Sequence, residues 1–485
     1  MNPFLAVAPH LGLIAMAMSA FHLLPIAASL FYRDGAAQVF FMSMVVNVAA
    51  GAVMWLLTRR FRGALGARDG ILLVVLAWAG GSAFAMLPLL QLVPGLSVTD
   101  AYFEAVSGLT ASGGTVLTGL DALPPSVNIW RGLLVWLGGM GLIILAVAVL
   151  PLLGVGGRQI LRSETPGPMK EKNLTPRITE TAKGLWVVYV GLSIACLLAY
   201  AAAGMTWFDA IVHTFTTMGL GGFSSHDASF GYWNSPAIEA VAAVFMIVAG
   251  LNFATHFLAL RTRSGTPYRH DPEAGLFVLV ILGSCLGIGV YLYATGTYPD
   301  FATALRYAAF NVVSVATTTG YSNTDYGLWP IFAPMWMLFL CSFVSCSGST
   351  GGGVKMIRAQ LLSNQVYREF VKLLHPHALT PVKIGELVVE NKVVFAVLAF
   401  MFIYVACIVV MTLAMLASGL DAVTAFSAVV ASINNTGPGL ASVGPASTFA
   451  TLNDFQTWVC TFAMLIGRLE LFTFLIVFTP AFWRK

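Results

Sequence analysis

Four short polar runs interrupt an otherwise apolar chain. They are Thr110-Ala-Ser-Gly-Gly114, Met218-Gly-Leu-Gly-Gly222, Thr317-Thr-Thr-Gly-Tyr321 and Asn434-Asn-Thr-Gly-Pro438. Their chemistry is that of neutral oxygen: main-chain carbonyls, hydroxyls and amides, with no acidic residue inside any run. Rings of such oxygens can replace the water shell of a monovalent cation. A divalent ion usually takes carboxylates instead. Aligned by position, Gly113, Gly221, Gly320 and Gly437 each stand fourth in their run. Glycine reaches backbone torsions closed to other residues, so successive carbonyls can turn toward a common axis. The expected cation-lining residues are Thr110, Ala111, Ser112 and Gly113; Leu220 and Gly221; Thr318, Thr319 and Gly320; and Asn435, Thr436 and Gly437.

Two further constellations fall inside apolar segments. "CSGSTGGGVK", Cys346 to Lys355, loosely resembles a phosphate-binding loop. It fails in detail, because Val354 separates Gly353 from Lys355, no Ser or Thr follows the lysine, and no soluble strand precedes it. A close-packing glycine stretch is one alternative. The preferred reading is a hinged gating loop built from Gly348, Ser349, Thr350, Gly351, Gly352, Gly353 and Lys355. The second constellation is "LIGRLELF", which puts Arg468 and Glu470 inside an apolar stretch. Intramembrane charges are rare and usually functional. Two residues apart on a helix, they do not face each other. A pore-facing Arg468 would repel a cation at about 5 Å by about 3 kcal/mol at an effective dielectric of about 20. A snorkelling or buried structural pair is the alternative.

These residues need elements to hold them, and the composition says which kind. Of 485 residues, 58% are hydrophobic and 9% charged, against about 25% charged in soluble domains. The fold class is therefore all-α, polytopic and membrane-embedded. Ten segments are long and apolar enough to cross a bilayer: 11–31, 37–57, 70–92, 128–153, 184–204, 237–259, 274–295, 332–357, 391–417 and 455–480. Charged "FYRDG" follows the first segment, so it does not read as a cleaved signal. The six cysteines (Cys196, Cys285, Cys341, Cys346, Cys407 and Cys460) lack paired spacing and read as small buried hydrophobes. The eight histidines show no metal-ligand spacing. No cluster of nucleophile, base and acid suggests an enzyme.

Basic residues gather after the even-numbered spans. They are Arg59, Arg60, Arg62 and Arg68; Arg158, Arg162, Lys170, Lys172, Arg177 and Lys183; Arg261, Arg263 and Arg269; Arg358, Arg368, Lys372, Lys383 and Lys392; and finally Arg484 and Lys485. Only Arg33, Arg131 and Arg306 lie on the other side. The bias puts both termini in the cytoplasm. Charges spread over connectors in this way do not make a nucleic-acid surface.

After the third, fifth, seventh and ninth spans comes a segment too short to cross: "TDAYFEAVSGLTASGG", "FDAIVHTFTTMGLGG", "LRYAAFNVVSVATTTGY" and "LDAVTAFSAVVASINNTGPG". The repeated unit is span, short helix, polar loop, span. The chain divides into an N-terminal helix pair (1–66), repeat 1 (67–157), repeat 2 (158–264), repeat 3 with the gating loop (265–372) and repeat 4 (373–485). Asp100, Asp209 and Asp421 are placed to cap short helices; the third lacks an aspartate there, with Asp300 upstream and Arg306 nearer its start. Asp121, Asp227 and Asp325 follow the runs, either as cation-attracting acids at a vestibule mouth or as ordinary solvated loop residues.

"LTASGGTVL", "TMGLGGFSSHD", "TTTGYSNTD", "NNTGPGL", "SCSGSTGGGVK" and "IGRLELF" together resemble the TrkH family of bacterial potassium uptake proteins, in a superfamily with the KtrB and fungal Trk proteins. The likeness covers nearly the whole chain. It implies gated K⁺ uptake across the bacterial inner membrane and a homodimer with one pore per protomer. It implies the four glycines as filter, Gly348 to Gly353 as gate and Arg468 as the pore-facing charge. It also implies a cytoplasmic TrkA-like ring that binds NAD(H), ATP or ADP, so this chain itself holds no cofactor and no catalytic residue. The runs depart from Thr-Val-Gly-Tyr-Gly: only the third keeps a tyrosine after the glycine. Fewer threonines and consecutive glycines imply modest K⁺ over Na⁺ selectivity. The alternatives are a K⁺/H⁺ symporter, for which Glu104, His213 and Glu470 are the titratable candidates, and a sodium-selective relative.

Overall fold

In a computed structural model, residues 3–61, 65–144, 178–385 and 387–484 are described. The end of the expected fourth span, the boundary near residue 157, and Arg62, Arg158, Arg162, Lys170, Lys172 and Arg177 lie outside them. Among the described residues the chain is helical apart from a two-residue antiparallel ladder, Lys383–Ile384 with Leu387–Val388. Among the described residues six helices are long and apolar enough to cross a membrane, or eight if each of two bent pairs is one span. Their outer faces carry exposed Leu, Val and Phe side chains, as at Leu57, Val187, Leu279 and Phe402. In water such a surface would be costly; in hydrocarbon it is matched to its solvent.

Three expected spans are broken. The sixth bends by 95° between Pro236–Gly250 and Phe253–Thr262. The tenth bends by 116° after Asp454–Arg468, with Glu470 at φ +63°. The eighth, expected over 332–357, is a short helix Phe332–Phe343, an irregular stretch, and a new helix Met356–Leu374. Hydropathy windows average over such breaks. Consecutive serines and glycines cannot sustain a helix at this depth, and Asn252 opens a fresh one by accepting the Ala254 N–H at 2.9 Å.

The breaks satisfy one another. At the sixth-span break, Gly250 O accepts from Cys346 N at 3.2 Å, and Phe253 N donates to Gly348 O at 3.1 Å. Ser347 N and Oγ both donate to Glu273, at 2.7 and 3.0 Å. Irregular backbone at membrane depth survives only when its polar groups find protein or water. Here the eighth-span break supplies partners for the sixth.

Four short helices do not cross: Val98–Leu109, Trp207–Gly219, Phe301–Ala316 and Ala422–Ile433. Each starts with a side-chain cap. Ser97 Oγ accepts Asp100 N at 3.0 Å and Thr206 Oγ1 accepts Asp209 N at 3.1 Å. Asp300 accepts Thr303 N at 2.8 Å and Asp421 accepts Thr424 N at 3.0 Å. The sequence assignment of the caps is corrected here. Asp100 and Asp209 stand one turn inside, behind a hydroxyl cap, and Asp300 is itself the third cap. A hydroxyl three residues before an acid is a standard helix start; a bare aspartate is the alternative.

Two helix glycines set how closely the flanking spans approach these short helices. A Cβ on Gly138 would lie 1.9 Å from Leu109 O, and one on Gly467 1.9 Å from Ile433 O. Those carbonyls end the first and fourth short helices. Gly138→Ala and Gly467→Ala should each cost at least 1–3 kcal/mol of stability, the usual range for an overpacked core. Gly191→Ala, where nothing stands within 4 Å, should be neutral or slightly stabilising. Thermal midpoints in detergent compare the three; equal midpoints would mean the contacts are not tight.

Candidate ion pathway

The four short helices end alike. Ala111, Leu220, Thr318 and Asn435 each adopt a left-handed conformation, with φ +53°, +54°, +61° and +54°. The next residue in each loop donates its N–H back into the helix: Ser112 to Ser107 O, Gly221 to Thr216 O, Thr319 to Ser314 O and Thr436 to Ala431 O, at 2.8–3.0 Å. This shared terminus fixes the equivalences. It places Gly222, not Gly221, with Gly113, Gly320 and Gly437. Gly221 stands instead with Ser112, Thr319 and Thr436. Alignment by run position fails in the second loop because its left-handed residue, Leu220, stands third in the run where the other three stand second.

The equivalent glycines meet. A Cβ on Gly113 would lie 2.4 Å from Gly222 N, one on Gly222 2.6 Å from Gly320 C, and one on Gly320 2.1 Å from Thr436 O. One on Gly437 would lie 3.0 Å from Ser112 O and 3.1 Å from Gly113 C, which closes the circle. Gly113, Gly320 and Gly437 have φ of +82°, +90° and +94°; Gly222 does not share that conformation. Around this circle the carbonyls of Ala111, Ser112, Gly113, Leu220, Gly222, Thr318, Thr319, Gly320, Asn435, Thr436 and Gly437 accept no hydrogen bond among the described residues. Buried carbonyls normally find partners. Such a row is what an ion or water must complete.

Each outgoing strand is tied back to its own short helix. In the first, Glu104 accepts Val116 N at 3.1 Å and pairs with Arg131 at 2.8 Å, both side chains buried. Arg131 also donates to Ser224 O of the second loop at 3.1 Å. In the second, His213 contacts Ser224 Oγ at 2.9 Å through Nε2 and Asp209 O at 2.8 Å through Nδ1. In the third, Asn311 donates to Asn323 at 2.7 Å. Glu104, His213 and Asn311 hold the same offset before Gly113, Gly222 and Gly320, which agrees with the corrected register. In the fourth, Ser427 takes over, accepting Leu440 N at 2.9 Å. The Tyr321 hydroxyl reaches Thr216 and Thr217 of the second short helix. Arg131 and Tyr321 were not singled out from sequence as supports of the loops.

The stretch from Val344 to Lys355 lies against the ends of the second, third and fourth short helices. Thr350 Oγ1 donates to Met218 O at 3.0 Å, and Gly352 N to Thr318 Oγ1 at 2.8 Å. A Cβ on Gly352 would be 2.0 Å from Asn434 O, and one on Gly351 3.2 Å from Thr317 O. Gly348 and Gly353 adopt positive φ, as does Lys355, whose Nζ folds back onto Gly351 O. Ser349 Oγ donates to Cys346 O at 2.6 Å. Arg468 is buried and donates to Thr350 O at 2.8 Å and Gly138 O at 2.9 Å. Its Nε has no partner, and among the described residues no carboxylate pairs with it. Glu470 pairs instead with Arg358 at 2.6 Å. The sequence-derived symport candidates Glu104, His213 and Glu470 are thus all held by specific protein partners.

The aspartates that follow the first three runs hold loops together. Asp227 accepts Gly119 N and Leu120 N at 2.9 and 3.1 Å, and Asp325 accepts Gly327 N at 2.9 Å. Asp121 pairs with His226, whose other nitrogen lies 3.1 Å from Asp209. Burial disfavours a charged His226, but hydrogen bonds and charge from Asp209 and Asp121 outweigh it and raise the pKa above the ordinary imidazole value. Asp121 is held below the usual carboxylate range: burial opposes this, and its bonds to His226 and Asp227 N prevail.

A family model described as a cation transport protein, TrkH, matches residues 36–485. The chain is 47% identical over 478 residues to the Trk system potassium uptake protein TrkH of Halomonas elongata, covering 98% of each. It is 43% identical over 483 residues to the protein of that name in Escherichia coli K12, covering 99% of this chain and 100% of that one. The crystal structure of the potassium transporter TrkH from Vibrio parahaemolyticus superposes with a TM-score of 0.91 at 42% identity, over 99% of this chain and 100% of that chain.

Two measurements test the supports. Arg131→Met strands a buried carboxylate and should cost about 3–5 kcal/mol, read as a lowered thermal midpoint; a midpoint within error of wild type would remove the pair as a strut. The His226 contribution is fully present below about pH 6.5 and fades as pH rises through the raised folded pKa. That of Asp121 fades as pH falls through its lowered pKa. The midpoint difference between wild type and His226→Gln should therefore peak near about pH 6 and shrink by about pH 9; a difference that grows with pH contradicts the pairing.

Proposed function

The chain belongs to the TrkH family of cation transport proteins, and on that premise we propose that it is a single-chain, gated pore for K⁺. It is a multi-pass membrane protein of potassium uptake, not an enzyme. The observation that carries the pore reading is the closed circle of glycine contacts with its unpartnered carbonyls. Neutral oxygens alone favour an alkali ion over a divalent one. The short helices aim their C-terminal, partly negative ends at the circle, which favours a cation there. The chain then reads as an N-terminal helix pair followed by four span–loop–span units. Because Gly222 departs from the conformation of its three counterparts, the oxygen cages are uneven, and K⁺ over Na⁺ selectivity is modest.

The stretch Gly348–Gly353 is the gate, and its contacts with Met218 O, Thr318 Oγ1 and Asn434 O support that reading. Arg468 sits behind it as an uncompensated positive charge and adds an electrostatic barrier. One carbonyl partner, Thr350 O, ties it to the loop, and the other, Gly138 O, ties it to the helix Pro125–Ile144. A homodimer and a cytoplasmic TrkA-like nucleotide-binding ring complete the reading, with NAD(H), ATP or ADP on the ring and none on this chain. The helix Met356–Leu374 leads directly from the gate and leaves Tyr367, Phe370, Leu373 and Leu374 exposed, which supports a subunit contact able to pull on the loop. The membrane is the bacterial inner membrane, with both termini cytoplasmic.

Flux into liposomes with K⁺, Na⁺ and Rb⁺ in turn tests the filter. Gly320→Ser forces a side chain toward Thr436 O and should bring K⁺ and Na⁺ flux toward equality; unchanged discrimination would sink the assignment. Arg468→Ala should raise conduction, and equal conduction takes the residue off the pathway. A reversal potential that follows a proton gradient would instead favour symport.

A further inference from the structure

A cavity of about 230 Å³ lies between the N-terminal helix pair and the span Arg68–Leu92, with Trp130 as its floor. None of the residues Gly348–Gly353 lines it. Its lining is apolar apart from two side chains. His22 is 1% exposed and its Nε2 has no partner; Asn47 is 2% exposed and its Oδ1 has none. His22 Nδ1 lies 3.2 Å from Ser19 O. A neutral ring that donates there leaves Nε2 as a bare acceptor. Two residues of the cavity lining thus each carry an acceptor without a partner among the described residues.

The space is also kept open at a cost. Gly80 and Gly81 line it from the middle of a helix. A Cβ on Gly80 would meet nothing within 4 Å, and one on Gly81 only Leu109 Cδ1 at 3.8 Å. No close approach requires either glycine, yet each weakens a helix by about 1 kcal/mol relative to alanine. Side chains there would fill the cavity. An apolar cavity of about 150 Å³ is already enough to hold a small hydrocarbon.

We propose that this cavity is a binding site for a neutral, hydroxyl-bearing amphiphile of the bilayer. Its hydrocarbon part lies against Met18, Gly80, Gly81 and Trp130, and its hydroxyl donates to His22 Nε2 or Asn47 Oδ1. Among the described residues no charged side chain lines the cavity, which disfavours a phosphate head. The occupant would lie beside Leu109, the last residue of the first short helix, and so next to the support of one filter loop. The proposal does not depend on the pore reading.

The probes are 8-bromo-1-octanol and 1-bromooctane, each added to the purified full-length protein, with bromine located by anomalous diffraction and binding measured by the shift in thermal midpoint. Wild type should show bromine in the cavity and bind the alcohol about fivefold more tightly than the alkane, the worth of one net hydrogen bond. Asn47→Leu and His22→Phe together should bring the two probes close to parity. Gly81→Leu should fold and bind neither. Bromine absent from wild type, an ordered water bridging His22 and Asn47 in its place, or undiminished binding by Gly81→Leu would each overturn the proposal.

Discussion

Everything in this molecule rests on main chains meeting at less than a side chain's width. Each of the four loops presents a glycine to its neighbour at a distance where a methyl group would overlap backbone atoms. Such contacts cannot be made by loops that merely lie close together. They need short helices started by side-chain caps and ended by matched left-handed turns, the third helix being 16 residues long and the other three 12 or 13. They also need flanking spans with Gly138 and Gly467 where the helix ends press in. The membrane adds the second condition. It contributes no partner for a bare carbonyl, so the row left unpartnered around the circle is tolerable only where an ion or water is present.

The supports behind the circle differ in chemistry while doing one job. A buried Glu104–Arg131 pair holds the first loop, a histidine the second, an asparagine the third and a serine the fourth. A buried ion pair is weak as a source of stability, since desolvation offsets its attraction. Its value is positional: Arg131 reaches Glu104, Asn128, Thr115 and Ser224 O from one guanidinium. It thereby locks the first loop to the second.

Much of this was legible in the residues. The polar runs stood out because glycine, threonine and asparagine have no reason to face lipid. Their recurrence gave the fourfold plan, and Arg468 was conspicuous as a charge in an apolar stretch. What failed was register and continuity. Met218-Gly-Leu-Gly-Gly222 offers two glycines, and counting along the run picks the wrong one. The offset from His213, matched to Glu104 and Asn311, carries the correct frame but has meaning only once the tie to Ser224 is known. The breaks at Leu251 and Glu470 were hidden because apolar residues flank them on both sides. Arg131 with Glu104 and Arg306 with Glu239 pair across sequence separations that no local pattern encodes.

The mutual repair of the two interrupted helices has a consequence for how the passage opens. Gly250 O, Phe253 N, Cys346 N and Gly348 O are content only in each other's company. Withdrawing the glycine stretch strips them at once, and each bare group costs about 1–3 kcal/mol unless something replaces the lost bond. Inside a bilayer the only ready substitute is water. On the gating proposed above, unlatching and wetting are therefore a single cooperative event, and the mouth becomes aqueous at the moment it becomes passable.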